Sequence, residues 1–211
     1  MYSQQLAAVL AEARDYLLVR PDVERGALIG KTPGEEHYWL VPFMNVAENP
    51  VGLIQMDEHG FVELMDLSMT KRLWGWVHSH PHWLPLPSPT DIREHSSFMH
   101  MVIYGVPTDQ FGIYSPEEVR DMRRARMGAR PAPGQQWKQE RIEQTKTSFW
   151  KLEHDNSNSG YYLRREQTGF PAQATTDHYR TLGAEPATRL AGDGHGAQAP
   201  VDSHYRGGGH R

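Results

Sequence analysis

The chain of 211 residues contains no cysteine. This absence excludes disulfide bonds, thiolate metal ligands and cysteine nucleophiles, so any hydrolytic chemistry must use a metal ion or a hydroxyl group. The sequence also lacks an apolar run of membrane-spanning length, and its N-terminus lacks a charged region followed by an apolar core. We therefore expect a cytoplasmic protein that has no membrane partner.

Basic residues are fewer than acidic ones, and the net charge is -4. Nucleic-acid binding needs a basic surface that neutralises phosphates, so nucleic acid is not an expected partner. The length allows one domain of ordinary size with extensions, and the composition leaves the oligomeric state unknown.

The most informative segment that is present is His78-Ser79-His80-Pro81. The apolar run 73–77 before it predicts a buried strand. Side chains at positions i and i+2 of a strand share one face, so His78 and His80 are expected to point at one ion while Ser79 faces the opposite side. The spacing therefore predicts part of a metal site.

A stiff loop and a helix follow the histidines, because each proline fixes its own φ angle and restricts the residue before it. The prolines of this stretch are Pro81, Pro85, Pro87 and Pro89. Ser88 is suited to cap a helix that runs to about residue 100, which places Asp91 in its first turn. Ser-x-x-Asp is also an ordinary capping pattern, and taken alone both residues are more often structural than catalytic.

Two imidazoles and one carboxylate leave one position of a tetrahedral zinc site open, as in catalytic zinc sites. Zinc lowers the pKa of water at such a position and thereby supplies a nucleophile. The same ligand set binds ferrous iron in oxygenases, so these three side chains alone leave two metals open. A general base would distinguish a hydrolase from an oxygenase.

Glu24 is the carboxylate that we expect to serve as this base. It lies where an amphipathic first helix gives way to the short apolar strand 26–30. A carboxylate at the mouth of a buried strand is costly unless it is solvated or paired, which favours a functional role. The alternative is an exposed loop acid, which composition alone would favour.

Together these residues resemble the signature of the JAMM (MPN-plus) zinc metalloprotease family, which includes prokaryotic JAB-like members. The signature positions are Glu24-x-Gly-x-Leu-x-Gly and Gly75-x-x-His78-Ser79-His80-Pro81, followed by Ser88 and Asp91, and none is substituted. The resemblance covers about residues 1–115. It implies an α/β fold of the MPN (JAB/cytidine-deaminase-like) type, in which a curved mixed sheet is flanked by helices.

The resemblance also implies how the site works. One zinc ion would be bound by His78, His80 and Asp91, while Glu24 would act as general acid and base and Ser88 would help to stabilise the oxyanion. The implied enzyme is a zinc metallopeptidase that hydrolyses peptide or isopeptide bonds at the C-terminus of a ubiquitin-like protein or its conjugates, as deubiquitinases do. Three alternatives remain: a phage-tail or cell-wall type JAMM peptidase, a non-catalytic MPN scaffold, and a ferrous-iron oxygenase.

The predicted catalytic domain spans residues 1–115 and alternates helices with strands. Its predicted helices are 3–18 and 57–70, and its further strands are 37–46, 100–106 and 110–115. Near the motif, His82 and His95 are expected at most to orient a ligand or touch substrate. Trp83 is expected to line a substrate groove.

Beyond residue 115 we predict a helical extension, residues 116–154, with helices over 117–127 and 135–150. Residues 155–211 are rich in Gly, Ser, Thr, Gln and Ala and predict a flexible C-terminal tail. Within this tail, residues 161–163 have the composition of a short strand that docks on the domain.

Overall fold

A computed structural model describes residues 2–96, 98–126, 148–155 and 160–167. Its helices are α1 (Gln4–Leu18), α2 (Glu58–Met69), α3 (Pro89–Glu94) and α4 (Pro116–Arg126). Its strands are β1 (Gly26–Lys31), β2 (Tyr38–Phe43), β3 (Leu73–His80), β4 (His100–Gly105), β5 (Gln110–Tyr114), β6 (Ser148–Asp155) and β7 (Gly160–Gln167). These strands form one seven-stranded sheet in the order β2-β1-β3-β4-β5-β6-β7.

The sheet is mixed. Within the described strands β3 and β4 form the one parallel pair, and all other neighbours are antiparallel. Parallel neighbours need a crossover connection, and here it contains the proline-rich loop and α3. The end of β3 is therefore joined directly to the segment that carries Asp91.

Helices cover both faces of the sheet. Ser3 caps α1 by accepting a hydrogen bond from the Leu6 N–H at 3.3 Å, and the apolar side of α1 packs on one face. On that face α1 meets alternate strand residues such as Ala27 and Val102. The other face carries two smaller apolar clusters, which include α2 and α4. Successive strand residues thus fill opposite layers, as the two-residue period requires.

The predicted α/β fold, with a mixed sheet flanked by helices, is confirmed. The predicted elements up to residue 126 are also present, with boundaries that shift by a few residues. One difference is the end of α3, which stops at Glu94 instead of near residue 100. The Arg123 side chain donates to the carbonyl groups of Ile92 and His95, which satisfies acceptors that a longer helix would have used.

The C-terminal half differs more. Residues 148–150 lie in β6, so the predicted helix 135–150 is wrong at its end, and its remaining residues lie outside the described ones. The reason is a period of two: Trp150 and Leu152 both pack towards the α1 side of the sheet. The predicted short strand 161–163 is confirmed as part of β7.

The sheet continues past residue 115 through β6 and β7, and α1 contacts β7. The proposed division at residues 115 and 154 stays a prediction, and the predicted tail beyond residue 167 lies outside the described residues. Among the described helices, none combines the length and the apolar character needed to cross a membrane.

Candidate metal centre and active site

The three predicted metal ligands lie together. His78 and His80 end β3 on the same face of the sheet, and their Nε2 atoms are 3.2 Å apart. Asp91 approaches from α3, with Oδ1 3.3 Å from His78 Nε2 and Oδ2 3.4 Å from His80 Nε2. Both histidines are buried and the Asp91 side chain is 12% exposed, so little water competes for these atoms.

These distances fit a zinc ion. Ligands about 2.0–2.1 Å from a zinc ion in a tetrahedron lie about 3.3–3.4 Å from one another. The separation of the two Nε2 atoms matches one edge of such a tetrahedron, and each Nε2 atom lies at a similar distance from one of the two Asp91 oxygens. All three side chains can therefore reach one ion and leave a fourth position open. In the described part of the chain they are also the one group of three or more histidine or acidic side chains with metal-ligand spacing.

Asp91 is held as an anion. Burial alone would raise the pKa of Asp91, but attraction and hydrogen bonding from His78 and His80 outweigh it, and the pKa lies well below its usual range. The Ser88 backbone N–H also donates to Asp91 Oδ2 at 2.6 Å. The carboxylate is thus charged and oriented, as a metal ligand requires.

Neighbouring groups orient both histidine rings. His80 donates from Nδ1 to the Leu84 carbonyl at 3.1 Å, which leaves its Nε2 lone pair facing the site. The indole N–H of Trp76 donates to His78 Nδ1 at 3.0 Å. A neutral His78 ring that accepts at Nδ1 carries its proton on Nε2, beside Asp91. Metal binding at Nε2 requires the other neutral tautomer, with the proton on Nδ1, so the bond from Trp76 is specific to the metal-free ring.

Close packing around β3 explains the motif glycine. A Cβ atom on Gly75 would lie 2.8 Å from the carbonyl oxygen of His100 on β4, closer than real Cβ atoms approach backbone. Gly75 and His100 are partners in the parallel register that also pairs His78 with Ile103. The glycine therefore permits the close strand pairing that positions the histidines.

Glu24 lies just before β1 and is only 6% exposed, so it is not the exposed loop acid of the alternative interpretation. Its side chain lines the same cavity as His78, His80 and Asp91. Burial raises the pKa of Glu24, the two histidines oppose this, and the nearby Asp91 adds to it, with a net rise. A carboxyl with a raised pKa is suited to accept and return protons.

Ser79 points away from the cavity, as predicted. The Arg25 N–H donates to the Ser79 hydroxyl at 3.0 Å, and the Ser79 N–H donates to the Arg25 carbonyl at 3.0 Å. These bonds join the end of β3 to the residue after Glu24. The proposed base and the histidines are consequently tied together through the backbone.

Asn45 holds the backbone of Glu24, a contact that the sequence analysis did not predict. Its amide Nδ2 donates to the Glu24 carbonyl and to the Leu53 carbonyl, both at 2.9 Å. Its Oδ1 accepts from the N–H groups of Ala47 and Gln55. The Glu24 N–H donates to the Pro50 carbonyl at 2.6 Å. The segment after β2 is therefore fastened to the backbone of Glu24, and its one signal was a lone amide between apolar residues.

Ser88 caps α3, as predicted. Its hydroxyl oxygen accepts from the Asp91 N–H at 3.1 Å, and together with the Ser88 N–H bond to Asp91 this completes a capping box. Ser88 also lines the cavity. A hydroxyl has one hydrogen to donate and two acceptor sites, so capping leaves the Ser88 hydrogen available to another group.

The ligands open into a cavity of about 500 Å³. Trp83 lines it, in agreement with the predicted groove, and so do His82 and His95. His95 bonds through Nε2 to the Met99 carbonyl at 3.1 Å, and burial lowers its pKa to about 4. The part that sequence reasoning missed is the wall formed by the segment after β2, whose lining residues are Asn49, Val51, Gly52, Leu53 and Ile54.

Comparison with known families gives a match over residues 7–125, more than half of the chain. The matching family is described as prokaryotic homologs of the JAB domain. It includes the first five strands and every residue of the metal site. A search of curated proteins found no match.

Proposed function

The chain belongs to the family of prokaryotic homologs of the JAB domain, and on this premise we propose that it is a zinc-dependent peptidase or isopeptidase. The observation that carries the proposal is the set of side chains in one cavity: His78, His80 and Asp91 at metal-ligand spacing, with Glu24 buried beside them. A scaffold would have no use for a buried carboxyl next to an intact ligand set, since burying it costs free energy.

The donor set supports zinc, because two imidazoles and a carboxylate are typical ligands of catalytic zinc. Zinc bound there would supply a Lewis acid that polarises a substrate carbonyl and lowers the pKa of water. The cavity opens beside these ligands, so a substrate amide has a path to them.

Glu24 is proposed as the general base and acid. Its raised pKa suits a group that accepts a proton from water and then returns it to the leaving amine. Asn45 and Pro50 bond to the Glu24 backbone, which limits the positions that its carboxyl group reaches.

Ser88 is proposed as the hydroxyl that donates to the developing oxyanion. The Ser88 hydroxyl oxygen accepts a hydrogen bond from the Asp91 N–H of the helix. The cap does not use the hydroxyl hydrogen, which can therefore donate to another group. A donor preorganised at a charge that develops in the transition state stabilises that state more than it stabilises the substrate. Ser88 would thus serve the helix and the reaction at once.

The proposed substrate is the C-terminus of a ubiquitin-like protein or its conjugates. β2 is an edge strand of the sheet, and the segment that follows it lines the cavity. An extended C-terminal segment would add to a sheet edge as a further strand and bring its scissile carbonyl to the metal ligands.

The test is Glu24→Gln, measured on a panel of ubiquitin-like fusions with and without a chelator. We expect the variant to keep zinc and its unfolding temperature, and to lose about 10²–10⁴-fold in kcat because proton transfer is lost. Glu12→Gln, on the exposed side of α1, is the matched control and should keep full activity.

Three results would count against the proposal. A fully active Glu24→Gln protein would exclude Glu24 as the base. Purified protein without zinc, in which added zinc restores nothing, would remove the metallopeptidase assignment. Cleavage of cell-wall peptides but of no ubiquitin-like fusion would favour the phage-tail or cell-wall type.

A further inference from the structure

One side of the cavity is apolar and lies directly beside the metal ligands. Ile54, Leu64 and Trp76 line it and belong to the partly buried cluster around Leu28 and Phe43. Trp76 of this wall donates a hydrogen bond to the His78 ring, so the wall directly adjoins a candidate metal ligand. Any group bound against the wall is therefore close to the reacting carbonyl.

The rim of the cavity is apolar as well. Val51 and Leu53 are 40% and 43% exposed, and Trp83 is 41% exposed. Together with the inner wall these residues line one cavity, and we call this set the apolar pocket: Val51, Leu53, Ile54, Leu64, Trp76 and Trp83. Contiguous apolar surface that faces solvent marks binding sites, since leaving it in water costs free energy.

The charged residues that line the cavity limit which ligands can bind there. Among the described residues that line the cavity, none is lysine or arginine, whereas Glu24, Asp91 and Glu94 are acidic. No cationic side chain of the lining would pair with a carboxylate of the ligand. An acidic side chain placed against the apolar pocket would meet repulsion from these acids, whereas a carboxylate that reached the metal position would be attracted by a bound zinc ion.

We infer that the apolar pocket binds a branched or aromatic side chain of the substrate, close to the scissile bond, in a segment that carries no negative charge. That the ligand is a substrate rests on the proposed function, whereas the chemistry of the ligand follows from the residues of the pocket. The apolar pocket is one side of a cavity of about 500 Å³, which accommodates such a side chain, whereas a glycine would leave the apolar wall in contact with water.

Binding is tested apart from catalysis, on the full chain both loaded with zinc and freed of metal by a chelator, because zinc itself binds carboxylates. N-acetyl-leucinamide, N-acetyl-glycinamide and the α-amide of N-acetyl-aspartic acid are titrated while the methyl resonances of Val51, Leu53, Ile54 and Leu64 are followed by NMR. We expect the leucine amide to shift these methyls saturably and to bind at least about tenfold more tightly than the other two, since a buried apolar side chain contributes that much.

Leu53→Ser should weaken binding of the leucine amide several-fold. Met69→Ser is the matched control, because Met69 on α2 is 72% exposed and does not line the cavity. Cleavage is then measured on one ubiquitin-like fusion that carries Leu, Gly or Asp at the residues flanking the scissile bond. The Leu fusion should have the highest kcat/KM, and Leu53→Ser should reduce its advantage over Gly.

Equal binding of the three amides, or leucine-induced shifts away from these methyls, would overturn the inference. Selective binding of the leucine amide without cleavage of any fusion would support the ligand class and overturn the proposed ubiquitin-like substrate. Cleavage with no preference for Leu over Gly or Asp would support the hydrolysis and overturn the inference.

Discussion

At the scale of single residues, the position of the Glu24 backbone depends on the side-chain amide of Asn45, which follows two strands later in the chain. Asn45 uses both amide hydrogens and its carbonyl oxygen to join the segment after β2 to the Glu24 backbone. An amide that uses both hydrogens and its oxygen holds four backbone groups in place at once.

Asn45→Asp is a near-isosteric change that keeps the acceptor oxygen and replaces the two amide donors by an oxygen. The Glu24 and Leu53 carbonyls would then face a repelling acceptor, so we expect Glu24 to shift and kcat to fall about tenfold or more. Zinc content, measured by elemental analysis, should be unchanged because the metal ligands are untouched. A normal kcat together with a lower unfolding temperature would show that Asn45 is only structural.

His100 gives stability a pH dependence. Its ring stacks on Trp74 at 4.2 Å between centroids and donates from Nδ1 to the Trp74 carbonyl at 3.2 Å. Burial lowers the pKa of His100 below its usual 6.5. The unfolded chain therefore takes up the proton first, and the contribution of His100 to stability is complete above about pH 6.5 and is lost as the pH falls towards the folded-state pKa.

His100→Phe keeps the stacking on Trp74 and removes the titration. Between pH 7.5 and 5.5 the unmodified protein should lose more free energy of unfolding than the variant, by at most about 1.4 kcal/mol per pH unit. Urea unfolding at both pH values measures the difference, and the remaining histidines titrate in both proteins alike. Parallel pH profiles would contradict the assignment to His100.

Spacing predicted the site residues that lie close together along the chain, and the family signature added the distant Glu24, whereas residues that act only through folded contacts were missed. His78, His80 and Asp91 follow one another on a strand, a loop and a helix, so spacing alone indicated a shared site. Asn45 and Trp76 act by contacts that spacing does not encode. Ser88 was predicted both as a cap and as a reactive hydroxyl; the cap is present and the second role stays a prediction.

At the scale of elements, the loop between β3 and α3 is held down on β4 and β5. The Tyr114 hydroxyl donates to the Pro85 carbonyl at 2.7 Å within the buried interior. A Cβ atom on Gly112 would lie 2.1 Å from the same carbonyl oxygen, so β5 has room for the loop only because residue 112 is glycine. The loop in turn presents the Leu84 carbonyl to His80.

Tyr114→Phe removes the hydroxyl and leaves the buried Pro85 carbonyl without this donor. We expect a loss of about 1–3 kcal/mol in the free energy of unfolding. We also expect zinc affinity to fall about tenfold or more, because the partner of His80 is less well fixed. Competition with a chromophoric chelator measures the affinity.

Tyr162→Phe is the matched control, since Tyr162 on β7 is 44% exposed and its hydroxyl bonds to Glu153. Neither stability nor zinc affinity should change appreciably there. If Tyr114→Phe lowers stability while zinc affinity stays the same, the loop is fixed by other contacts and this account of His80 is wrong.

Elements with strong periodicity were predictable. The apolar stripe of α1 and the strands of the first half follow from periods of 3.6 and two residues. The end of α3 was not predictable, because the Arg123 side chain of α4 donates to carbonyl groups at this end of the helix. The first three residues of β6 fall within the predicted helix 135–150, because they directly follow a stretch of helix-forming residues.

At the scale of the whole molecule, the sheet extends beyond the region that matches the family. The match ends at residue 125, whereas β6 and β7 continue the sheet from β5. Tyr2, before α1, meets Trp150 of β6 edge to face at 4.9 Å between ring centroids. We therefore expect β6 and β7 to unfold together with the metal site.

Phe149→Ala tests this expectation, because Phe149 on β6 is only 1% exposed. Removing a buried phenyl ring costs about 3–5 kcal/mol. Near-ultraviolet circular dichroism and zinc release should show one transition, shifted to lower temperature in the variant. Tyr162→Ala should shift it little. A variant whose zinc release keeps the original midpoint would show that β6 and β7 form a separate folding unit.

The overall architecture was predictable from the first half of the chain, where a family signature and clear periodicity agree. The addition of β6 and β7 to the sheet was not predictable. The sheet edge on which they pack depends on contacts between distant segments, such as that between Tyr2 and Trp150. The wall of the cavity that the segment after β2 forms depends on distant contacts in the same way, since Asn45 joins this segment to Glu24.

The three metal ligands come from β3 and α3, at the two ends of one connection. An ion bound by all three would close that connection into a ring. If the ion stayed bound after unfolding, the ring would lower the conformational entropy of the unfolded chain. If the ion bound only the folded chain, its binding free energy would stabilise the fold. In a chain without cysteine, the metal would thus take the place of a disulfide as a cross-link, one that a chelator opens and added zinc restores.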